Sequence, residues 1–317
     1  MENQAVGMKI VSIKNNERLL TIKWRLTMWC NYHCSYCIQN GKKESEKTDF
    51  NRFMKIAADV NRLIEESPRP VKLSLLGGEV TLYDLERLIA AIPSRKLAKI
   101  ALTTNLSNSS GYYVSLANYL HSRGVKFGLC CSLHTEHVSP ESFVKKVAEI
   151  KSKATFDVIK IESVLNPNTE KYAKTIENLC TEYGIDYRFD YDRNQDDSYR
   201  SHKQNISKES HNRYTVTFED GSVNTKLSRS QLINLGNGQT EHSKFKTKKS
   251  FYCTRGMSFV YIDMDMAADQ NVCIPREEYV PVSQYHIKTE PQLCHKDSCS
   301  LSGDVSVALN KEDLDFL

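Results

Sequence analysis

The chain has 317 residues, 40% of them hydrophobic, which is enough for one large domain with a small appendage. Its 43 Lys and Arg stand against 39 Asp and Glu, a net charge of +4 that does not by itself argue for a nucleic-acid or membrane partner. No run approaches the roughly 18 apolar residues of a spanning helix, and residues 1–8 lack the apolar core of a signal peptide. The expected location is therefore the cytoplasm. In that reducing compartment, ten cysteines point to metal binding or catalysis rather than disulfides.

In chain order, strand patterns are expected at 21–29, 71–76, 98–104, 126–133, 156–165 and 185–191. Helix patterns fall between them at 51–66, 82–93, 110–123, 140–153 and 170–183. The first helix carries Phe53, Ile56, Ala57, Val60, Leu63 and Ile64 on one stripe. Ser139 is an expected N-cap with Pro140 behind it. Thr81 is an expected cap with Asp84 as its reciprocal partner, and Gly124 and Gly184 fit helix C′ positions. The segment 194–250 breaks the alternation. It reads as a polar loop, then a hairpin from Tyr214–Phe218 to Val223–Leu227 turning at Asp220-Gly221. Lys244, Lys246, Lys248 and Lys249 form a small basic run, read as a solvated face or as a surface for an anionic substrate or acidic peptide.

Strands alternating with helices imply parallel pairing and right-handed crossovers. The expected fold class is α/β, a partial (β/α)6 TIM-like barrel with a small C-terminal domain; a flat doubly wound sheet is the alternative. The expected organisation is a core over 1–193, a loop-and-hairpin insert over 194–250 that could cover the substrate, and a C-terminal segment over 251–317. In either fold the site lies at the C-terminal ends of the strands.

Cys30, Cys34 and Cys37 form C-x3-C-x2-C where the first strand runs out. Three thiolates from one loop can hold three irons of a [4Fe–4S] cube and leave the fourth without a protein ligand. A zinc site with His33 as fourth ligand is the other reading of the triple alone. Together with Gly77-Gly78-Glu79 after the second strand and the β/α frame from Thr21 to Arg193, the loop resembles the radical S-adenosylmethionine (SAM) enzymes. The resemblance implies that Cys30, Cys34 and Cys37 ligate the cluster and that the open iron chelates SAM. Reductive cleavage of SAM then gives a 5′-deoxyadenosyl radical. It further implies Tyr36 beside the adenine and Gly77, Gly78 and Glu79 at the methionine amino group. Asn105 and Ser132 would be ribose or carboxylate contacts. Val80 stands where the family motif commonly has proline.

Cys253, Cys273, Cys294 and Cys299 form a second set. With Cys253-Thr-Arg-Gly256 and the apolar run from Met257 to Ile262, they resemble the start of a SPASM or twitch extension, which implies one auxiliary [4Fe–4S] cluster. A structural zinc knuckle held by the same four cysteines is the alternative.

Strand alternation puts Cys130, Ser132 and His134 on one face. Cys130 could return a hydrogen atom to a substrate radical, or be a small packed residue. His134 could be catalytic or structural. Arg188, Asp190 and Asp192 share a face that could line the substrate end, with Tyr187, Phe189 and Tyr191 packing under helices; Cys180 reads as core. The resemblance implies hydrogen abstraction from an unactivated carbon, with a peptide crosslink, oxidation or epimerisation as product. Radical oxidation or epimerisation of a sugar or other small molecule is the alternative, and a non-catalytic zinc- or nucleic-acid-binding protein is the alternative of another class. The expected partners are the substrate and a reductant such as flavodoxin or ferredoxin. Only about 20 residues precede the first strand, which weighs against the peptide reading without excluding it, because a leader-peptide-binding domain can be a separate protein.

Overall fold

The computed structural model describes residues 10–16, 18–37, 46–192, 207–208, 214–227, 251–269, 274–294 and 305–314. Strand β1 (Ile10–Asn15) is followed by a regular succession: β2 (Leu20–Thr27), α1 (Phe50–Glu66), β3 (Val71–Gly77), α2 (Leu85–Ala90), β4 (Leu97–Thr104), α3 (Ser110–Ser122), β5 (Lys126–Leu133), α4 (Pro140–Lys153), β6 (Val158–Leu165), α5 (Ala173–Glu182) and β7 (Asp186–Tyr191). Shorter strands complete the chain: β8 (Ser207–Lys208), β9 (Tyr214–Phe218), β10 (Val223–Leu227), β11 (Tyr252–Cys253), β12 (Phe259–Asp263), β13 (Met266–Ala268), β14 (Val280–Pro281), β15 (Gln292–Leu293) and β16 (Val307–Ala308).

The main sheet runs β14-β13-β12-β2-β3-β4-β5-β6-β7-β8. Every pairing from β12 to β7 is parallel. One face of this sheet is apolar. Ile22, Trp24 and Leu26 of β2, Leu73 and Leu75 of β3, Leu129 and Leu133 of β5 and Phe189 of β7 share a single core with the buried stripes of the helices. Lys23, Cys130, Ser132, Lys160, Glu162 and Arg188 alternate onto the opposite face. A doubly wound sheet carries helices on both faces. Here a one-sided apolar layer behind the parallel strands, with β14 and β8 at unjoined edges among the described residues, fits a partial barrel.

All six residues of the expected stripe on α1 are buried, and the Asp49 side chain accepts the Asn51 N–H to start the helix. Ser139 accepts the Ser142 N–H ahead of Pro140. Gly124 and Gly184 follow their helices with φ of 69° and 60°, left-handed values natural to glycine. Thr81 is not the cap expected of it. Glu79 takes both the N–H and the hydroxyl of Thr81, residues 80–82 form a 3-10 turn, and Asp84 caps the shorter helix α2 through the Arg87 N–H. The last helix likewise opens with a 3-10 turn at Glu170–Tyr172 before α5.

Two features extend the frame beyond the sequence reading. Strand β12 joins the parallel sheet beside β2, fixed by the Trp24 indole donating to Met264 O at 2.9 Å and by Arg25 Nε on Asp263 at 2.7 Å. A second sheet, β10-β9-β1-β16-β11-β15, has its own core around Tyr214, Val216, Phe259 and Val307. The expected hairpin forms, with Gly221 at φ 82°, and its strand β9 pairs with β1 inside this second sheet. The basic run at 244–249 and most of the loop at 194–210 lie outside the described residues.

Candidate active site

The cysteine loop leaves the C-terminal end of β2 and is clamped by the loop that follows β3. Gly78 N donates to Thr27 O at 2.8 Å and Glu79 N to Trp29 O at 2.9 Å. A Cβ on Gly78 would run into the Trp29 carbonyl, and one on Gly77 into that of Thr27. Only glycine allows this backbone-to-backbone approach.

Glu79 is 1% exposed. One carboxylate oxygen accepts from Thr81 N, from the Thr81 hydroxyl and, at 2.8 Å, from the Thr104 hydroxyl; the other accepts from Asn105 N at 2.6 Å. Burial pushes the carboxyl above its ordinary value, and these hydrogen bonds pull back against it. Glu79 thus ties the ends of β3 and β4 together. From there Asn105 Nδ2 reaches Asn31 Oδ1 at 2.9 Å and lies 3.9 Å from Cys30 Sγ, which also accepts from Tyr32 N at 3.4 Å. N–H groups aimed at a cysteine sulfur favour its thiolate form, the form that ligates iron. The donor set therefore fits the iron–sulfur group that the cysteine spacing implies.

The other side of the loop rests on the segment after β5. Tyr36 OH lies 3.1 Å from His134 Nδ1, with their rings stacked at 23°. Tyr32 stacks on His137 with ring centres 4.2 Å apart, and Glu136 accepts from Ser35 N at 2.8 Å. Cys34, Glu136 and His137 place one ligand atom each within 4.8 Å of one another. Tyr36 is buried, and burial followed by the neighbouring Cys34 drives its hydroxyl well above the ordinary value. Sequence reasoning missed Glu136, His137 and Asn31; the polar run His134–His137 directly after a strand was the available signal.

Ser132 and Cys130 line the inward face of β5, where Ser132 pairs with Glu162 and Glu162 with Arg188. Glu162 meets Lys160 at 2.6 Å and Arg188 at 3.0 Å, and Arg188 also bonds Asp190 at 2.9 Å. Burial works against the Glu162 charge, but the Arg188 guanidinium and Lys160 ammonium outweigh it and hold the carboxyl well below the usual range. Cys130 is pushed far up, by burial first and then by the Glu162 charge, so it stays a thiol. Glu162 keeps 21% exposure despite its depth, so it faces an interior space rather than packed side chains. The charged residues of β7 have partners, as an inward position requires. Tyr187, Phe189 and Tyr191 pack on the helix side, and Cys180 is core.

Of the second cysteine set, Cys253 and Cys294 are buried in the second sheet. Cys253 lies opposite Gln292, and Cys294 N donates to Phe251 O at 2.7 Å. Cys273 and Cys299 lie outside the described residues.

Residues 24–179 match the family model of the Radical SAM superfamily, so this part of the chain is a radical SAM domain. That family implies SAM and a [4Fe–4S] cluster as cofactors. Among solved structures, SuiB from Streptococcus suis bound to S-adenosylmethionine is similar over 84% of this chain and 64% of its own, with 15% identity and a TM-score of 0.50. Native anSMEcpe with bound AdoMet is similar over 55% of this chain and 51% of its own, with 18% identity and a TM-score of 0.44. BtrN in complex with AdoMet and 2-DOIA is similar over 44% of this chain and 56% of its own, with 18% identity and a TM-score of 0.31. The chain thus spans less than two thirds of each of these structures. No curated protein sequence matches it. No helix among the described residues is long and apolar enough to cross a membrane.

Proposed function

We propose that this chain is a radical SAM enzyme that removes hydrogen from an unactivated carbon of a peptide, leading to a crosslink, an oxidation or an epimerisation. The observation that carries the reading is the docking of the cysteine loop onto Gly77-Gly78 and Asn105 at the strand ends of the radical SAM domain. When bound, a cluster with an open iron and SAM supply a 5′-deoxyadenosyl radical as hydrogen abstractor.

The chain's own residues then have distinct tasks. Cys30, Cys34 and Cys37 are the ligands. The backbone carbonyls around Gly77 and Gly78 receive the SAM ammonium, while Glu79 holds the loops in register through its four internal bonds. Tyr36, braced by His134, and Asn105 bound the nucleoside side, with Ser132 below them. The β5–β7 wall of Cys130, Glu162, Arg188 and Asp190 faces the substrate, and Cys130, held as a thiol, is placed to return a hydrogen atom. Cys253, Cys273, Cys294 and Cys299 hold an auxiliary cluster that passes electrons. A ferredoxin or flavodoxin is the reductant.

SuiB is also solved bound to its precursor peptide SuiA, which motivates the choice of a peptide substrate. Anaerobic purification followed by iron, sulfide and zinc analysis tests the class, together with 5′-deoxyadenosine release under dithionite and SAM. Brown protein that releases 5′-deoxyadenosine supports it. Colourless zinc protein, or loaded protein that leaves SAM intact, contradicts it. If SAM is cleaved and peptides encoded beside the gene stay unmodified while a sugar is oxidised, the peptide half of the reading fails alone.

A further inference from the structure

The barrel has a second concavity at the end opposite the cysteine loop. It opens at the N-terminal ends of β3, β4 and β5, has a volume of about 810 Å³, and is lined by Arg95, Lys99, Arg123, Lys126 and Asp157 among apolar neighbours such as Leu19, Leu97 and Val125. Lys99, almost fully buried, pairs with Asp157 at 2.5 Å. Among the described lining residues that pair leaves Arg95, Arg123 and Lys126 as further cations and Asp157 as the one acid. Arg123 is fixed in place by donating to Ile89 O and Tyr119 OH at 3.1 Å and to Ile92 O at 3.3 Å. Arg95 and Lys126 are exposed at the mouth. Arg18 and Arg69 sit next in sequence to the lining residues Leu19 and Pro70.

We propose that this floor cleft binds a small phosphate-bearing anion of nucleotide size. Like charges gathered in one concavity cost the folded state energy that a multivalent anion relieves. The Arg95 guanidinium suits phosphate oxygens, with the Lys126 ammonium as a second point charge and the fixed Arg123 adding to the local positive field. The volume lies inside the roughly 300–1,000 Å³ of small-molecule sites, and Leu19, Pro70 and Pro93 give a flat group an apolar surface. The cleft is not where a reductant would dock. The eight residues of β2, at about 3.3 Å each, put it roughly 26 Å from the cysteine loop. The site is separate from the proposed reaction and does not depend on it.

Isothermal titration of ATP into the cluster-loaded full chain at physiological salt, with SAM present to occupy its own site and adenosine as the uncharged control, tests the proposal. The expected result is saturable one-to-one binding of ATP and none of adenosine. Arg95→Ala and Lys126→Ala should each weaken ATP binding about threefold, and the double variant at least about tenfold, with iron content and SAM cleavage unchanged. Both side chains are exposed, so these variants keep the fold. A titration that never saturates, or one indifferent to the double variant, would overturn the site. Binding of pyrophosphate without ATP would overturn its nucleotide size.

Discussion

The two cysteine sets occupy opposite kinds of structure. Cys30, Cys34 and Cys37 hang from an eight-residue strand in a sheet backed by one continuous core, and the loop is gripped by the ends of β3, β4 and β5. Cys253 and Cys294 sit on or next to two-residue strands in the smaller sheet. Strands that short add little stability of their own. The comparison teaches that the first site is built by the fold, whereas the proposed second site has little regular structure of its own around its described cysteines.

The largest effect should come from Cys30→Ala, which is expected to abolish SAM cleavage while leaving the thermal midpoint nearly unchanged. A large drop in melting temperature would erase the contrast between the two sites. Next, Gly78→Ala forces the loop off the Trp29 carbonyl. It should lower SAM cleavage about a hundredfold, since displacements near 1 Å cost that much at a reacting centre. Unchanged turnover would show that the clamp is not what positions the loop.

Cys253→Ala should do the reverse of Cys30→Ala, removing the auxiliary iron and lowering the melting temperature by several degrees. Iron content equal to that of the unmutated chain would remove the auxiliary cluster. The smallest effect concerns the inner wall. In Glu162→Gln the anion that adds to burial in holding Cys130 as a thiol is gone, while Lys160 and Arg188 remain. The thiol value should fall, so iodoacetamide should label Cys130 faster at pH 8. Because the folded-state value of Glu162 is depressed, its contribution to stability is complete above the ordinary carboxylate range and is lost as pH falls through the depressed value. The variant should lack that acid-side loss, which urea midpoints at pH 3 and pH 7 measure.

Much of the main sheet was legible because its strands and helices keep clean periods, as Phe53 to Ile64 show on α1. Strand β1 was not, since a register shift between Ile10 and Ser12 breaks the alternation a reader relies on. The parallel placement of β12 beside β2 was equally hidden. Its partner lies more than 200 residues away, and the Arg25–Asp263 contact that fixes it leaves no local pattern. At the site, the cysteines and glycines announced themselves by spacing. Glu79 was legible as part of a Gly-Gly-Glu motif, but not as a buried carboxylate accepting four internal hydrogen bonds, because those donors come from Thr81, Thr104 and Asn105 after β3 and at the end of β4.

The most direct test of the central claim is electron paramagnetic resonance of the dithionite-reduced protein with Cys253, Cys273, Cys294 and Cys299 replaced by alanine. Any cluster signal must then come from one held by Cys30, Cys34 and Cys37. The account predicts a single reduced [4Fe–4S] signal whose g-values shift when SAM is added. A signal indifferent to SAM, or no iron–sulfur signal from folded protein, would contradict it.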